Sequence, residues 1–160
     1  MGRASERPGV LLDTNVLLYM TNPRSSHINA IMNIVGAKDA GTISCFIAAH
    51  SLKDFFYISR KEPYALSREA AMLWIRHFID HYRIIDLTRS VSRHATAGPG
   101  PDFEDNVIAE SAKRAGCGYV LTYDMEWSTV PGQSFETVTA EELSRVLGYT
   151  EYHVISTGKE

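Results

Sequence analysis

Short apolar runs alternate with helix-like stretches along nearly the whole chain. The strand candidates are residues 10–12, 42–45, 84–87, 119–122 and 136–138. Between and around them lie helical patterns at residues 15–20, 26–38, 46–60, 67–82, 89–97, 102–115 and 140–147. In the second of these, Ile28, Ile31, Met32 and Val35 recur at spacings of three and four, the period of one helix face. Ser67 can cap the helix that follows it, and Asp102 the one that begins after Gly98-Pro99-Gly100-Pro101. Strands that alternate with helices predict an α/β sandwich with a mostly parallel central sheet. Sheets of that kind carry their sites at the carboxyl ends of the strands.

The 160 residues suit one domain with a core of its own. The division expected is a leader over residues 1–8, a single domain over 9–148 and a tail over 149–160. A formal charge of −3 excludes a strongly basic nucleic-acid coat, and 44% hydrophobic residues exclude a disordered acidic tail. Cys45 and Cys117 are too few for a disulfide scaffold or a four-cysteine zinc site. Free thiols in a reducing compartment are expected. No apolar run approaches a membrane span, and no apolar signal core follows the first residues. A cytoplasmic location is expected.

Two aspartates close apolar strands: Asp13 follows Val10-Leu11-Leu12, and Asp124 follows Tyr119-Val120-Leu121-Thr122-Tyr123. If both strands are central and parallel, both carboxylates reach one rim. Asp102 and Asp105 fall in the first turn of the helix just before the second strand, three apart and on one face. Asp54 sits inside the stretch read as a helix over 46–60, at the edge of its buried face beside Ile47, Ser51 and Ile58. Each acid has an ordinary explanation taken alone. Asp102 and Asp105 make a capping-box-like start favoured by the helix dipole. Asp13 or Asp124 serves as a turn residue. Asp54 needs a partner, for which Lys53 and Arg60 are at hand. The joint pattern changes the balance, because one α/β topology gathers Asp13, Asp54, Asp105 and Asp124 at one edge.

Two carboxylates about 5 Å apart, at an effective dielectric near 20, repel by roughly 3 kcal/mol. Several together require compensation. A hard divalent cation supplies it, and carboxylates without convergent His or Cys favour Mg²⁺ or Mn²⁺ over zinc. Such ions acidify a bound water and stabilise the charge on a phosphodiester being cut.

These residues resemble a known family. Leu11-Leu12-Asp13-Thr14-Asn15-Val16-Leu17-Leu18 is similar to the opening motif of PIN-domain ribonucleases. Ser51-Leu52-Lys53-Asp54-Phe55-Phe56-Tyr57 resembles the segment that carries their second acid, in the subgroup with Asp rather than Glu. Asp102-Phe103-Glu104-Asp105 before Asn106-Val107-Ile108-Ala109 resembles that subgroup's third, DFED-type motif, and Tyr119-Val120-Leu121-Thr122-Tyr123-Asp124 the strand that delivers the fourth acid. The resemblance spans residues 10–138 and implies a three-layer α/β/α sandwich that binds Mg²⁺ or Mn²⁺ and hydrolyses RNA. It implies metal-binding and catalytic roles for Asp13, Asp54, Asp105 and Asp124, with Asn15, Thr122 and Asp102 in support. Many bacterial members are VapC-like toxins neutralised by a small antitoxin, and many are homodimers. The resemblance therefore implies the toxin of a type II toxin–antitoxin pair, with an antitoxin partner and an RNA substrate.

Residues 60–94 hold seven Lys/Arg against four Asp/Glu, while residues 95–160 hold four against eleven. A mildly basic flank beside an acidic rim suits a polyanionic substrate. Arg60, Lys61, Arg89 and Arg93 are the phosphate-contact candidates. His77 and His81 have a zinc-compatible spacing but lack the glutamate of a zinc protease, so an exposed polar helix face is expected. His50 lies one turn before Asp54, with ordinary packing expected for it and a place facing the site as the alternative. Met72, Trp74 and Phe78 are read as core, with a contact between protomers or to an antitoxin as the alternative. Two other functions compete with the nuclease. A dehalogenase-type phosphohydrolase with an aspartyl nucleophile needs a second Asp where Asn15 stands. A non-catalytic RNA- or protein-binding scaffold would show no tight, acid-dependent metal site.

Overall fold

Four consecutive buried residues, Gly9–Leu12, form strand β1 at the centre of the sheet. The computed structural model describes residues 7–100, 102–124, 126 and 133–149. Most of the expected leader and tail, and Pro101 of the Gly-Pro break, lie outside the described residues. After β1 come α1 (Thr14–Met20), α2 (Ile28–Asp39), β2 (Ser44–Ala48), α3 (Ala49–Ser59) and α4 (Arg68–His81). Then follow β3 (Arg83–Ile85), α5 (Arg89–Ala95), α6 (Phe103–Arg114), β4 (Tyr119–Leu121), β5 (Glu136–Val138) and α7 (Ala140–Val146). The strands run in the order β3-β2-β1-β4-β5, and every pairing is parallel.

Alternation along the strands divides the core in two. Val10, Leu12, Cys45, Ile47 and Leu121 face one side, where they meet Leu17 of α1, Ile31 of α2, Phe55 of α3, Phe78 of α4 and Leu143 of α7. Leu11, Ala48 and Val120 face the other side and meet Ile108 and Ala112 of α6. Helix α5 packs on α6 through Val91, Ala95 and Val107. The result is the expected three-layer α/β/α sandwich around a parallel sheet. Phe78 is fully buried, as read, whereas Met72 on the same helix is 40% exposed.

The largest boundary difference from the sequence reading is at β2. A strand was expected over 42–45 and a helix from 46, but Phe46, Ile47 and Ala48 are strand. They pair with Leu11 and Leu12 on one side and with Arg83, Ile84 and Ile85 on the other. A short apolar run has no periodicity of its own, so only its neighbours decide its state. Asp54 therefore does not share a helix with Ile47, and Ile58 is 42% exposed rather than part of the buried face.

The Gly-Pro break before α6 is held by Asn106. Its side chain accepts from the Gly100 N–H at 2.7 Å and donates to the Gly98 carbonyl at 3.3 Å. A Cβ at Gly98 would lie 2.4 Å from this side chain, and one at Gly100 2.5 Å from it, so only glycine admits the contact. Asn106→Ala would leave both backbone groups without this partner. We expect it to lower stability by about 1–3 kcal/mol, measured by urea denaturation, since unmet polar groups cost about that much.

Candidate metal centre

The order of the strands reverses between β1 and β4, and the crevice outside the carboxyl ends of two such strands is where open α/β sheets bind ligands. Asp13 stands immediately after β1 and caps α1, with its carboxylate accepting from the Thr14 N–H at 2.8 Å. Its own N–H donates to the Leu121 carbonyl at 2.9 Å, which extends the β1–β4 seam by one residue. Thr122, just beyond β4 and 4% exposed, organises the crevice. Its hydroxyl donates to the second carboxylate oxygen of Asp13 at 2.8 Å. The Thr122 hydroxyl oxygen itself accepts from the Asn15 amide at 3.3 Å and from the Asp124 N–H at 3.0 Å. Asn15 in turn accepts from the Tyr123 N–H at 3.3 Å. Farther out, the Tyr123 hydroxyl donates to Glu141 at 2.9 Å, and Glu141 pairs with His27 at 2.7 Å, which ties this loop to α7 and α2.

The neighbouring strand contributes from the other side. Helix α3 starts directly from the end of β2, so its first turns sit at the same edge of the sheet. His50 and Asp54 are one turn apart on it, and Glu104 enters from the first turn of α6. Donor atoms of His50, Asp54 and Glu104 all lie within 4.8 Å of one another. Lys53 approaches Asp54 at 3.6 Å, but its side chain is 71% exposed, which makes this a screened surface pair. Asp102 caps α6 as expected and accepts from the Asp105 N–H at 2.9 Å.

These carboxylates feel one another. Burial raises the Asp13 carboxyl above its ordinary value, hydrogen bonds from Thr122 and Thr14 oppose the rise, and the charges of Asp124 and Asp102 add to it. Glu104 is pushed up to about 7, first by partial desolvation and then by Asp54, Asp13, Asp102 and Asp105. Burial holds the His50 imidazole below its usual range, against the pull of Asp54. Both His50 ring nitrogens are shielded from solvent and have no hydrogen-bond partner.

This repulsion has a measurable sign. A carboxyl whose folded value exceeds its unfolded value binds its proton more tightly when folded. Its contribution is therefore present at low pH and is lost as pH rises from the ordinary glutamate range through about 7. We expect the EDTA-treated protein to lose thermal stability from pH 5 to 7.5 by this route. Glu104→Gln should flatten the fall, and Mn²⁺ at pH 7.5 should reverse it. The check is melting temperature against pH with and without the ion.

The structure thus brings Asp13, Asn15, Thr122 and Asp124 into one hydrogen-bonded group, and places Asp54, Asp102, Asp105 and Glu104 in the field around it. The basic candidates lie elsewhere. Arg60 caps the far end of α3, about 15 Å from His50 at 1.5 Å per residue, and covers the Phe56 ring. Lys61 follows it. Arg89 opens α5, and Arg93 lies one turn on; all four are exposed. The His77 and His81 rings stack at 4.5 Å on an exposed face of α4, as expected. Sequence reasoning missed Glu104, which lay unremarked between Phe103 and Asp105. The signal was the cap itself: with Asp102 at the helix start, Glu104 and Asp105 both fall in the first turn, beside the acids from the strands.

A protein-family model described as a PIN domain matches residues 9–126. A search of the curated proteins found no match. Among solved structures, the fold resembles VapBC2 from Rickettsia felis bound to a DNA fragment from its promoter. That likeness has 16% identity and a TM-score of 0.60, and covers 82% of this chain and 98% of that one. It also resembles VapC20 from Mycobacterium tuberculosis, a sarcin-ricin loop cleaving toxin, at 12% identity and a TM-score of 0.61, with 74% of this chain and 92% of that one covered. DNA-bound VapBC from Salmonella typhimurium gives 19% identity and a TM-score of 0.59 over 83% of this chain and 98% of that one. At these identities the likeness is one of fold.

Proposed function

The chain belongs to the PIN-domain family, and on that premise we propose that it is a metal-dependent ribonuclease acting as the toxin of a toxin–antitoxin pair. The observation that carries this reading is the gathering of acids from four separate segments at the carboxyl edge of a parallel sheet. Burial first, and then their mutual repulsion, raise Asp13 and Glu104. A site so anionic suits a cation, and oxygen donors suit Mg²⁺ or Mn²⁺. When bound, such an ion lowers the pKa of a water and neutralises charge on a phosphodiester in the transition state.

In this reading Asp13, Asp54, Asp105 and Asp124 hold the ion. Thr122 fixes the rotamer of Asp13 by donating to it, and Asn15 holds Thr122 and the Tyr123 backbone in register with α1. Asp102 fixes the start of α6 and so the place of Asp105. Asn15 stands where an aspartyl-nucleophile phosphohydrolase has its second acid, and here its amide is engaged with Thr122. The substrate proposed is RNA, with Arg89, Arg93, Arg60 and Lys61 as outlying phosphate contacts.

The partners proposed are a small antitoxin and a second copy of the chain. Exposed apolar side chains on α3 and α4, among them Tyr57 at 60% and Leu73 at 64%, favour a protein partner on those helices. Among the described residues no helix is long and apolar enough to cross a membrane, and an RNA substrate places the activity in the cytoplasm. The test is cleavage of RNA by the purified chain with Mg²⁺ or Mn²⁺ and with EDTA. Cutting that needs the ion supports the reading; equal cutting in EDTA overturns it.

A further inference from the structure

His50 is out of place for a packing residue. It lies on the first turn of α3 with both ring nitrogens shielded from solvent, and neither has a hydrogen-bond partner. A neutral imidazole has one N–H donor and one lone pair, and leaving both unmet in a shielded place is costly. The groups facing it are carboxylates: Asp54 one turn along α3, and Glu104 from α6, with donor atoms of all three within 4.8 Å of one another. In an octahedral site with bonds of about 2.1–2.2 Å, opposite ligands stand about 4.2–4.4 Å apart. Of three ligands at most one pair stands opposite and the other pairs stand about 3 Å apart, so side-chain rotation must draw the three donors together to share an ion.

We propose that His50, Asp54 and Glu104 form a mixed nitrogen–oxygen site for a divalent transition-metal ion, in which His50 supplies a nitrogen ligand. The site shares Asp54 with the acids of the proposed nuclease centre and rests on that reading through this residue alone. Nitrogen changes the selectivity. Carboxylates by themselves accept Mg²⁺ readily, whereas an imidazole nitrogen favours transition ions over Mg²⁺, with Mn²⁺ the weakest-held of that series. The chain should therefore take Mn²⁺ at this position in preference to Mg²⁺. The competing arrangement is an imidazolium held between two carboxylates, which would satisfy the same atoms without an ion.

Mn²⁺ itself is the probe, added below one equivalent to the intact chain. Pulsed EPR should then show ¹⁴N modulation from a directly bound imidazole. His50→Gln should remove that modulation and weaken Mn²⁺ binding, measured by calorimetry, by at least about tenfold, while Mg²⁺ binding changes little. Glu104→Gln, at an exposed position that leaves the core untouched, should keep the ¹⁴N signal and weaken Mn²⁺ binding. Mn²⁺ that binds without ¹⁴N modulation overturns the proposal and leaves the carboxylate centre standing. A chain that binds no Mn²⁺ overturns both. Equal affinity of the His50→Gln and unaltered chains for Mn²⁺ overturns the proposal even if the variant is less stable.

Discussion

Asp13→Asn should lower metal-dependent RNA cleavage by at least about 100-fold while the melting temperature moves by only a few degrees. The activity falls because the residue at the strand crossing loses its charge, and an amide is a poor ligand for a hard cation. Stability is spared because two effects of similar size oppose each other. The carboxylate accepts from Thr122 and from the Thr14 N–H, and replacing one of its oxygens with an amide nitrogen weakens one of these bonds, at about 1 kcal/mol. Against that, Asp13 is held above its ordinary value by burial and by Asp124 and Asp102, and a neutral side chain relieves that strain. The measurement is an RNA cleavage time course in Mn²⁺, with circular dichroism on the same sample. A folded variant that cuts at the parent rate would remove Asp13 from the mechanism.

Phe55→Ala should cost about 3–5 kcal/mol, roughly 10 °C or more in melting temperature for a chain of this size. Phe55 is fully buried and meets Phe78 edge to face, with ring centroids 5.2 Å apart. It therefore couples α3 to α4 across the larger core. The consequence extends to the site, because α3 also carries His50 and Asp54. Chemical denaturation gives the stability loss, and Mn²⁺ affinity of the folded fraction tests whether the helix keeps its place. A loss below about 1 kcal/mol would mean that α3 is anchored by something other than this aromatic pair.

Much of this was legible because the signals were local. Ser67 and Asp102 were read as helix caps and are caps, each accepting from the backbone three residues on. The apolar runs at β1 and β4 marked buried parallel strands, since a strand covered on both faces has no reason to alternate. The failure at Phe46, Ile47 and Ala48 was the reverse case. Those residues suit a helix or a strand equally, and the choice was made by hydrogen bonds to β1 and β3, which no local pattern encodes. His50 is a related case. Its spacing from Asp54 was visible, but that its nitrogens have no partner is a property of everything packed around it.

By itself, then, the order of residues determined the α/β class and the caps, because each of these depends on neighbours within a few positions, and it nominated four acids as candidates. Which residues meet was decided only in three dimensions. The parallel order β3-β2-β1-β4-β5 sets Asp13 against Thr122, more than a hundred positions away, and brings Glu104 into the field of Asp54. Charge repulsion falls with distance through space, not along the chain. The anionic character of the rim is therefore a product of the folded topology.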